Sequence, residues 1–280
     1  MSKEINKKLL VGAGATALSL VGAWWLKNKK PMTPKIPNVD NNTIILFQFN
    51  YSPYCIKVAK VMDYKGIPYK TVNILPIVNK NFIKELSNQS KVPVIKHKNK
   101  VIHDSTKIAL YLEDICPEPS LFINDDHKLN EEVKLWEDWA DEAFLSPFSN
   151  LAVMYLYEHP EYLAELEDIK TGIGLIDNNK ERLAPFITKM QLKAYGADLS
   201  KKDELKKKAR GYLDTLLKKL ENKEFIVGDR LTIADITIAS HLTVAQKVPY
   251  ISEDEHYEAI FIWQKKIFDL TKRRVAATIS

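Results

Sequence analysis

The apolar run 43–49, TIILFQF, ends at Asn50 and passes straight into Tyr51-Ser52-Pro53-Tyr54-Cys55, and this junction restricts the chain more than any other feature. A run so short and so rich in branched and aromatic residues suits a buried strand. Ser52 is a favoured helix N-cap, and Pro53 suits the first helical position, where its missing N–H costs nothing. Val58, Ala59 and Met62 continue as a helical stripe, and Gly66 closes it as a C-terminal cap. After this strand-helix unit the pattern predicts a strand at 69–74, a helix near 79–89, strands in PVIKHK and VIH, and a helix over STKIALYLEDI. The expected order is β-α-β-α-β-β-α, an α/β domain over residues 43–122.

Three short segments in this stretch carry chemistry: S-P-Y-C at 52–55, V-P at 92–93 and D-S at 104–105. In order and spacing they resemble the thioredoxin-like N-terminal domain of the glutathione transferase superfamily. The likeness is greatest to the branch containing membrane-associated prostaglandin E synthase type 2 and its bacterial relatives, which carry a C-P-F-C or S-P-F-C turn. The resemblance implies glutathione as co-substrate and assigns roles by position. A helix N-terminus presents unpaired N–H groups and a partial positive charge, so it favours a thiolate placed there. Ser52 is then the hydroxyl that donates to the sulfur of bound glutathione, while by its residue type alone it is as well a plain helix cap. Cys55 lies in the first turn, where an accessible thiol is acidified. With serine at the first position of the turn, dithiol exchange is excluded. Cys55 is expected to point inward as a small core residue, and a mono-cysteine thiol transferase using Cys55 stands as an alternative. Val92 and Pro93, joined by a cis bond in the family, are expected to offer the Val92 backbone to an extended peptide. Asp104 and Ser105 are expected to hold the γ-glutamyl end, Ser105 taking the carboxylate and Asp104 the ammonium, with simple helix capping compatible with both.

Residues 123–128 read as a linker, and 129–280 as an all-helical domain like the C-terminal domain of the same superfamily. Pro147 is expected to kink or end the helix that starts near Leu129. Thr232 and Asp235 have capping-box spacing at the head of an apolar helix. Aromatic residues on the helices expected to face the cleft, Trp136, Trp139 and Tyr155, are candidates for an apolar substrate pocket, although most such stripes are core.

Charge bears on what else the chain meets. The net charge is +5, but residues 1–35 carry seven lysines and one glutamate, so residues 36–280 sum to −1. The body has no basic excess, and nucleic-acid binding loses its electrostatic support. Two cysteines, Cys55 and Cys116, make neither a disulfide framework nor a zinc site, and no metal centre is expected. Residues 1–8 form a basic leader, followed by eighteen uncharged residues from Leu9 to Leu26, flanked by lysines and ending in Trp24-Trp25-Leu26. That is the pattern of a single membrane anchor, with 27–42 as a proline- and asparagine-rich linker. Heavier positive charge after the span puts the body on the cytosolic side. The alternative is a signal peptide and a secreted product.

The expected function is a glutathione-dependent transferase or isomerase, acting on an apolar electrophile in the inter-domain cleft, in a membrane-tethered homodimer. A catalytically silent scaffold of the same fold is the alternative from another class, since fold does not imply function.

Overall fold

Residues 44–48 form strand β1, Ile44–Gln48, with its first four side chains buried. Successive strand side chains point to opposite faces, so a fully apolar run demands cover on both. The computed structural model, which describes residues 33–75, 79–164 and 178–272, supplies that cover. Ile44 and Leu46 pack with Val58, Val61 and Met62 of helix α1 (Pro53–Tyr64) and with Ile108, Ala109 and Leu112 of a later helix. Ile45 and Phe47 pack on the other face with Val72, Ile74, Ile83 and Val94, under helix α2 (Lys80–Ser87).

The sheet order is β2-β1-β3-β4, with β2 at Tyr69–Asn73, β3 at Val94–His97 and β4 at Lys100–His103. β1 runs parallel to β2 and antiparallel to β3, and β4 runs antiparallel to β3. Helix α3 (Ser105–Ile115) follows β4 directly. This is the expected thioredoxin-like order.

The second domain is helical throughout its described residues. Helix α4 (His127–Trp139) passes through a π turn at Ala140–Phe144 into α5 (Leu145–Glu158). The helix therefore does not end at Pro147, which corrects that part of the expectation. Pro147 is buried inside the first turn of α5, and the change of register is made upstream in the π turn, which is a recognised place for a long helix to bend. Helices α6 (Lys180–Ala194), α7 (Lys202–Leu220), α8 (Ile233–Ala245) and α9 (Glu258–Leu270) complete the bundle. All of α8 but Thr243 is buried, so its start needs an internal partner. The Asp235 carboxylate provides it, accepting the N–H groups of Thr232 and Ile226 and the Thr232 hydroxyl, each at 2.8 Å.

α8 packs along α1 in the opposite direction. The Tyr54 ring meets His241 with centroids 5.2 Å apart, while at the other end the Ile233 N–H donates to the Leu121 carbonyl at 3.0 Å. The end of α8 thus lies beside the start of α1. Among the described residues no helix is long and apolar enough to cross a membrane. The expected anchor, residues 9–26, lies outside the described residues.

Candidate functional site

Sheet register brings the three motifs together. Phe47 of β1 pairs with Val94 of β3, and Val94 with His103 of β4. The chain leaves this row from Phe47 toward Ser52, enters it from Val92-Pro93, and leaves it from His103 into Asp104-Ser105. All three segments therefore sit at one edge of the sheet, where α1 and α3 begin.

Ser52 is half-buried, with φ −82° and ψ 119°, the extended backbone of an N-cap. Its carbonyl accepts the N–H groups of Cys55 and Ile56 at 3.0 Å each, yet its hydroxyl makes no capping bond. The side chain lies instead beside Cys55. Cys55 is 1% exposed, and burial pushes its thiol up to about 11. The Phe49 N–H, 3.4 Å from the sulfur, and the Ser52 side chain offset this only in part. Such a thiol stays protonated and out of reach near neutral pH. The Val92-Pro93 bond is cis, with Val92 half-buried and Pro93 buried.

Asp104 is exposed and caps α3, its Oδ1 accepting from the N–H groups of Thr106 and Lys107 at 3.1 Å each. Its φ of 76° lies in the region that favours glycine. A non-glycine residue held there costs about 1–3 kcal/mol, a strain that concentrates at ligand-binding turns. Ser105 is buried just behind it.

Tyr54 sits in the middle of this edge. Burial first, then the charges of Asp141 and Asp104 and the nearby Tyr195, raise its pKa to about 12. Its ring packs on His241 of α8 and its hydroxyl donates to the Asp141 carbonyl of the π turn at 3.5 Å.

Behind the turn lies a buried polar seam between the domains. Lys57 of α1, wholly buried, donates to Glu137 Oε1, to Asp141 Oδ2 at 2.9 Å and to the Thr106 hydroxyl at 3.1 Å. His241 Nε2 faces Asp141 Oδ1 at 3.2 Å, out of line for a strong hydrogen bond, and its Nδ1 is 3.0 Å from the Ala140 carbonyl. Burial works against the charge on Asp141, but His241 and Lys57 outweigh it and hold the carboxyl at about 2.

The residues proposed from sequence as a pocket have other neighbours. Trp136 and Trp139 pack on each other at 5.2 Å, and Trp139 also packs on Phe144 and on Tyr212 of α7. Tyr155 packs on His159 and Tyr162 at the far end of α5. Sequence reasoning passed over Lys57 and Lys247. Lys57 stands four residues before buried Val61, a signal that it shares the buried face of α1. Lys247 follows the buried helix α8 and carries no signal of its own. A separate groove of about 600 Å³ between α7 and α9, lined by Leu217, His256, Ile260 and Trp263 among others, contains none of these residues.

Comparison with known proteins agrees with this architecture. Residues 46–120 match the family described as glutathione S-transferase, N-terminal domain, and residues 182–270 match glutathione S-transferase, C-terminal domain. The chain is 31% identical over 107 residues to protein LigF of Sphingobium sp. strain SYK-6, covering 36% of this chain and 41% of that protein. It is 26% identical over 106 residues to glutathione S-transferase U28 of Arabidopsis thaliana, covering 37% of this chain and 47% of the relative. The matches thus span under half the length of these curated relatives. A glutathione S-transferase of Methylobacterium radiotolerans, solved in complex with glutathione sulfonate, superposes with a TM-score of 0.55 at 18% identity, over 83% of this chain and 92% of that one. At that identity the likeness speaks for the fold.

Proposed function

This chain belongs to the glutathione S-transferase superfamily, and from that premise we propose that it is a glutathione-dependent transferase in which Ser52 holds the glutathione sulfur as a thiolate. One observation carries the reading: the Ser52 hydroxyl stands at the head of α1 without capping it, while the neighbouring thiol is buried and protonated. The hydroxyl donates to the sulfur, the helix N-terminus adds its partial positive charge, and the thiol proton leaves to solvent. The sulfur then attacks an electrophile with an apolar body, held between Tyr54 and the second domain. Val92 gives its backbone to the peptide, and Ser105 with the head of α3 takes the γ-glutamyl carboxylate. One oxygen of Asp104 is committed to its helix, so its role toward the ammonium falls to the other. Burial of Cys55 weighs against a mixed-disulfide mechanism.

The test is Ser52→Ala. One hydrogen bond to an anion is worth roughly 1.5–4 kcal/mol, so conjugation should slow about ten- to several-hundred-fold, with the pKa of bound glutathione raised and its Kd little changed. A silent Ser52→Ala together with a dead Cys55→Ala would reverse the assignment. Glutathione binding with no turnover would favour the scaffold.

The S-P-Y-C turn and the lysine-flanked span support placing the chain nearest the prostaglandin E synthase type 2-like branch, with residues 9–26 as a membrane anchor and the body facing the cytosol. Full-length protein should resist carbonate extraction, whereas a chain starting at residue 36 should wash free. Release of both would sink the anchor.

A further inference from the structure

Lys247, just after α8, reaches back to the turn that carries Ser52. Its ammonium lies 4.9 Å from the ring centroid of Tyr51, the residue immediately before Ser52. A cation over a tyrosine face gains only about 0.5–2 kcal/mol, and the ring leaves its charge uncancelled. Among the described residues no carboxylate pairs with Lys247, whereas Lys202, Lys219 and Lys266 in the same domain each have one. The residue as a whole is exposed, but protein crowds the ammonium and lowers its pKa, with desolvation the sole cause. A cation drawn partly out of water with no anion to meet it is costly unless a ligand brings one.

Its surroundings say what kind of ligand. Tyr51 lies beneath the ammonium, and the half-buried Tyr54 ring lies three residues on, at the start of α1. Tyr195, 59% exposed at the end of α6, is near enough to Tyr54 to act on its ionisation. Tyr51 and Tyr54 therefore flank Ser52 in the chain, with the Lys247 cation over the first ring and Tyr195 near enough to act on the second. Aromatic faces suit a flat ring, and the lysine suits a negative group on it. In this reading the γ-glutamyl carboxylate of glutathione is met at the head of α3 and its peptide backbone at Val92.

We propose that the electrophile is an aromatic compound bearing one negatively charged group, a carboxylate in the simplest case, and that Lys247 binds that group while the ring lies among Tyr51, Tyr54 and Tyr195. This rests on the transferase reading above and adds a substrate class to it. With a chloronitrobenzoate the balance is simple. The thiolate sulfur forms a bond to the ring carbon carrying chlorine, chloride leaves with the electron pair of the C–Cl bond, and the carboxylate stays on Lys247 unchanged.

The test compares two electrophiles on the full-length protein, neutral 1-chloro-2,4-dinitrobenzene and anionic 4-chloro-3-nitrobenzoate. The ratio of KM for the anion to KM for the neutral compound should rise roughly ten- to a hundredfold in Lys247→Gln, the scale of one lost charge-assisted bond, and return toward the parent value in Lys247→Arg. A ratio unmoved in Lys247→Gln overturns the proposal, because a lysine serving glutathione or the fold shifts both electrophiles alike. Should the parent protein turn over neither compound, the transferase reading fails, and tyrosine fluorescence titration with 4-nitrobenzoate decides this one. Binding weakened by Lys247→Gln supports it, and binding that is absent or indifferent to the change overturns it.

Discussion

The two sides of helix α1 treat polar groups in opposite ways. On the side facing the second domain, Lys57 is wholly buried, and its ammonium meets two carboxylates and a hydroxyl. On the side facing the sheet edge, the Ser52 hydroxyl leaves its own helix uncapped, and Lys247 faces an aromatic ring without a carboxylate among the described residues. Ser52 and Lys57 stand five positions apart, at the cap and in the second turn of one helix, so helix propensity and helix dipole are common to both. The difference lies in what each side is for. A buried charge must be paired to be tolerated at all, so the seam is closed. Groups that await a ligand can stay open only at the rim, where water covers for the ligand.

The closed side should be the more sensitive to change. Removing one partner of a buried ion pair costs about 3–5 kcal/mol, because the remaining charge has nothing to replace it. Lys57→Met keeps the volume of the stem and strands Glu137 and Asp141, so a loss of that size is expected in urea unfolding. If the loss were under about 1 kcal/mol, the usual level for surface changes, the seam would not be structural and the contrast would collapse.

Acid should probe the same seam with a smaller effect. The Asp141 carboxyl is held at about 2, below its ordinary 3.8, so the fold favours its ionised form. The stability this brings is complete above the ordinary value and is lost as pH falls from about 4 toward 2. A shift of this size corresponds to about 2 kcal/mol, by the linkage between proton binding and folding. Lys57→Met removes one of the attractions holding the pKa down, so the stability gap between parent and variant should narrow over that window. A gap constant from pH 5 to pH 2 would mean that Lys57 and Asp141 do not act on one another.

The sequence made the open side easier to see than the closed one. Ser52-Pro53 announces a helix start through local chemistry alone, and the apolar run before it announces a strand covered on both faces. The alternation of Ile44 and Leu46 against Ile45 and Phe47 then follows without further information. The capping box at Thr232 and Asp235 was legible for the same reason, since its partners are three residues apart. Lys57 was not, because its partners come from positions 106, 137 and 141, and no local pattern links a lysine to carboxylates some eighty residues away. The Pro147 expectation failed in a similar way. Proline marks a place where a helix is weakened, but Pro147 falls in the first turn of α5 just after the π turn, and the helix runs on to Glu158. Among the aromatics, periodicity could say that Trp136 and Trp139 lie on one stripe of α4, but not that α7 would meet them.

The smallest effect gives the finest discrimination, because it compares two residues that a sequence treats as equivalent caps. Asp104 accepts two backbone N–H groups of its helix; the Ser52 hydroxyl accepts none. Asp104→Ala should therefore lose about 1 kcal/mol, the typical cost of removing a working cap, or ~2–4 °C in Tm for a protein of this size. Ser52→Ala gives up no capping bond and should stay within about 0.5 kcal/mol of the parent. Thermal unfolding of the two variants side by side separates the cases. Equal losses would mean that the Ser52 hydroxyl turns to its helix in solution, and the rate defect expected of Ser52→Ala would then trace to a loosened turn. A stable Ser52→Ala protein that conjugates slowly, beside a Cys55→Ala protein that keeps its rate, points that hydroxyl at the glutathione sulfur rather than at Cys55.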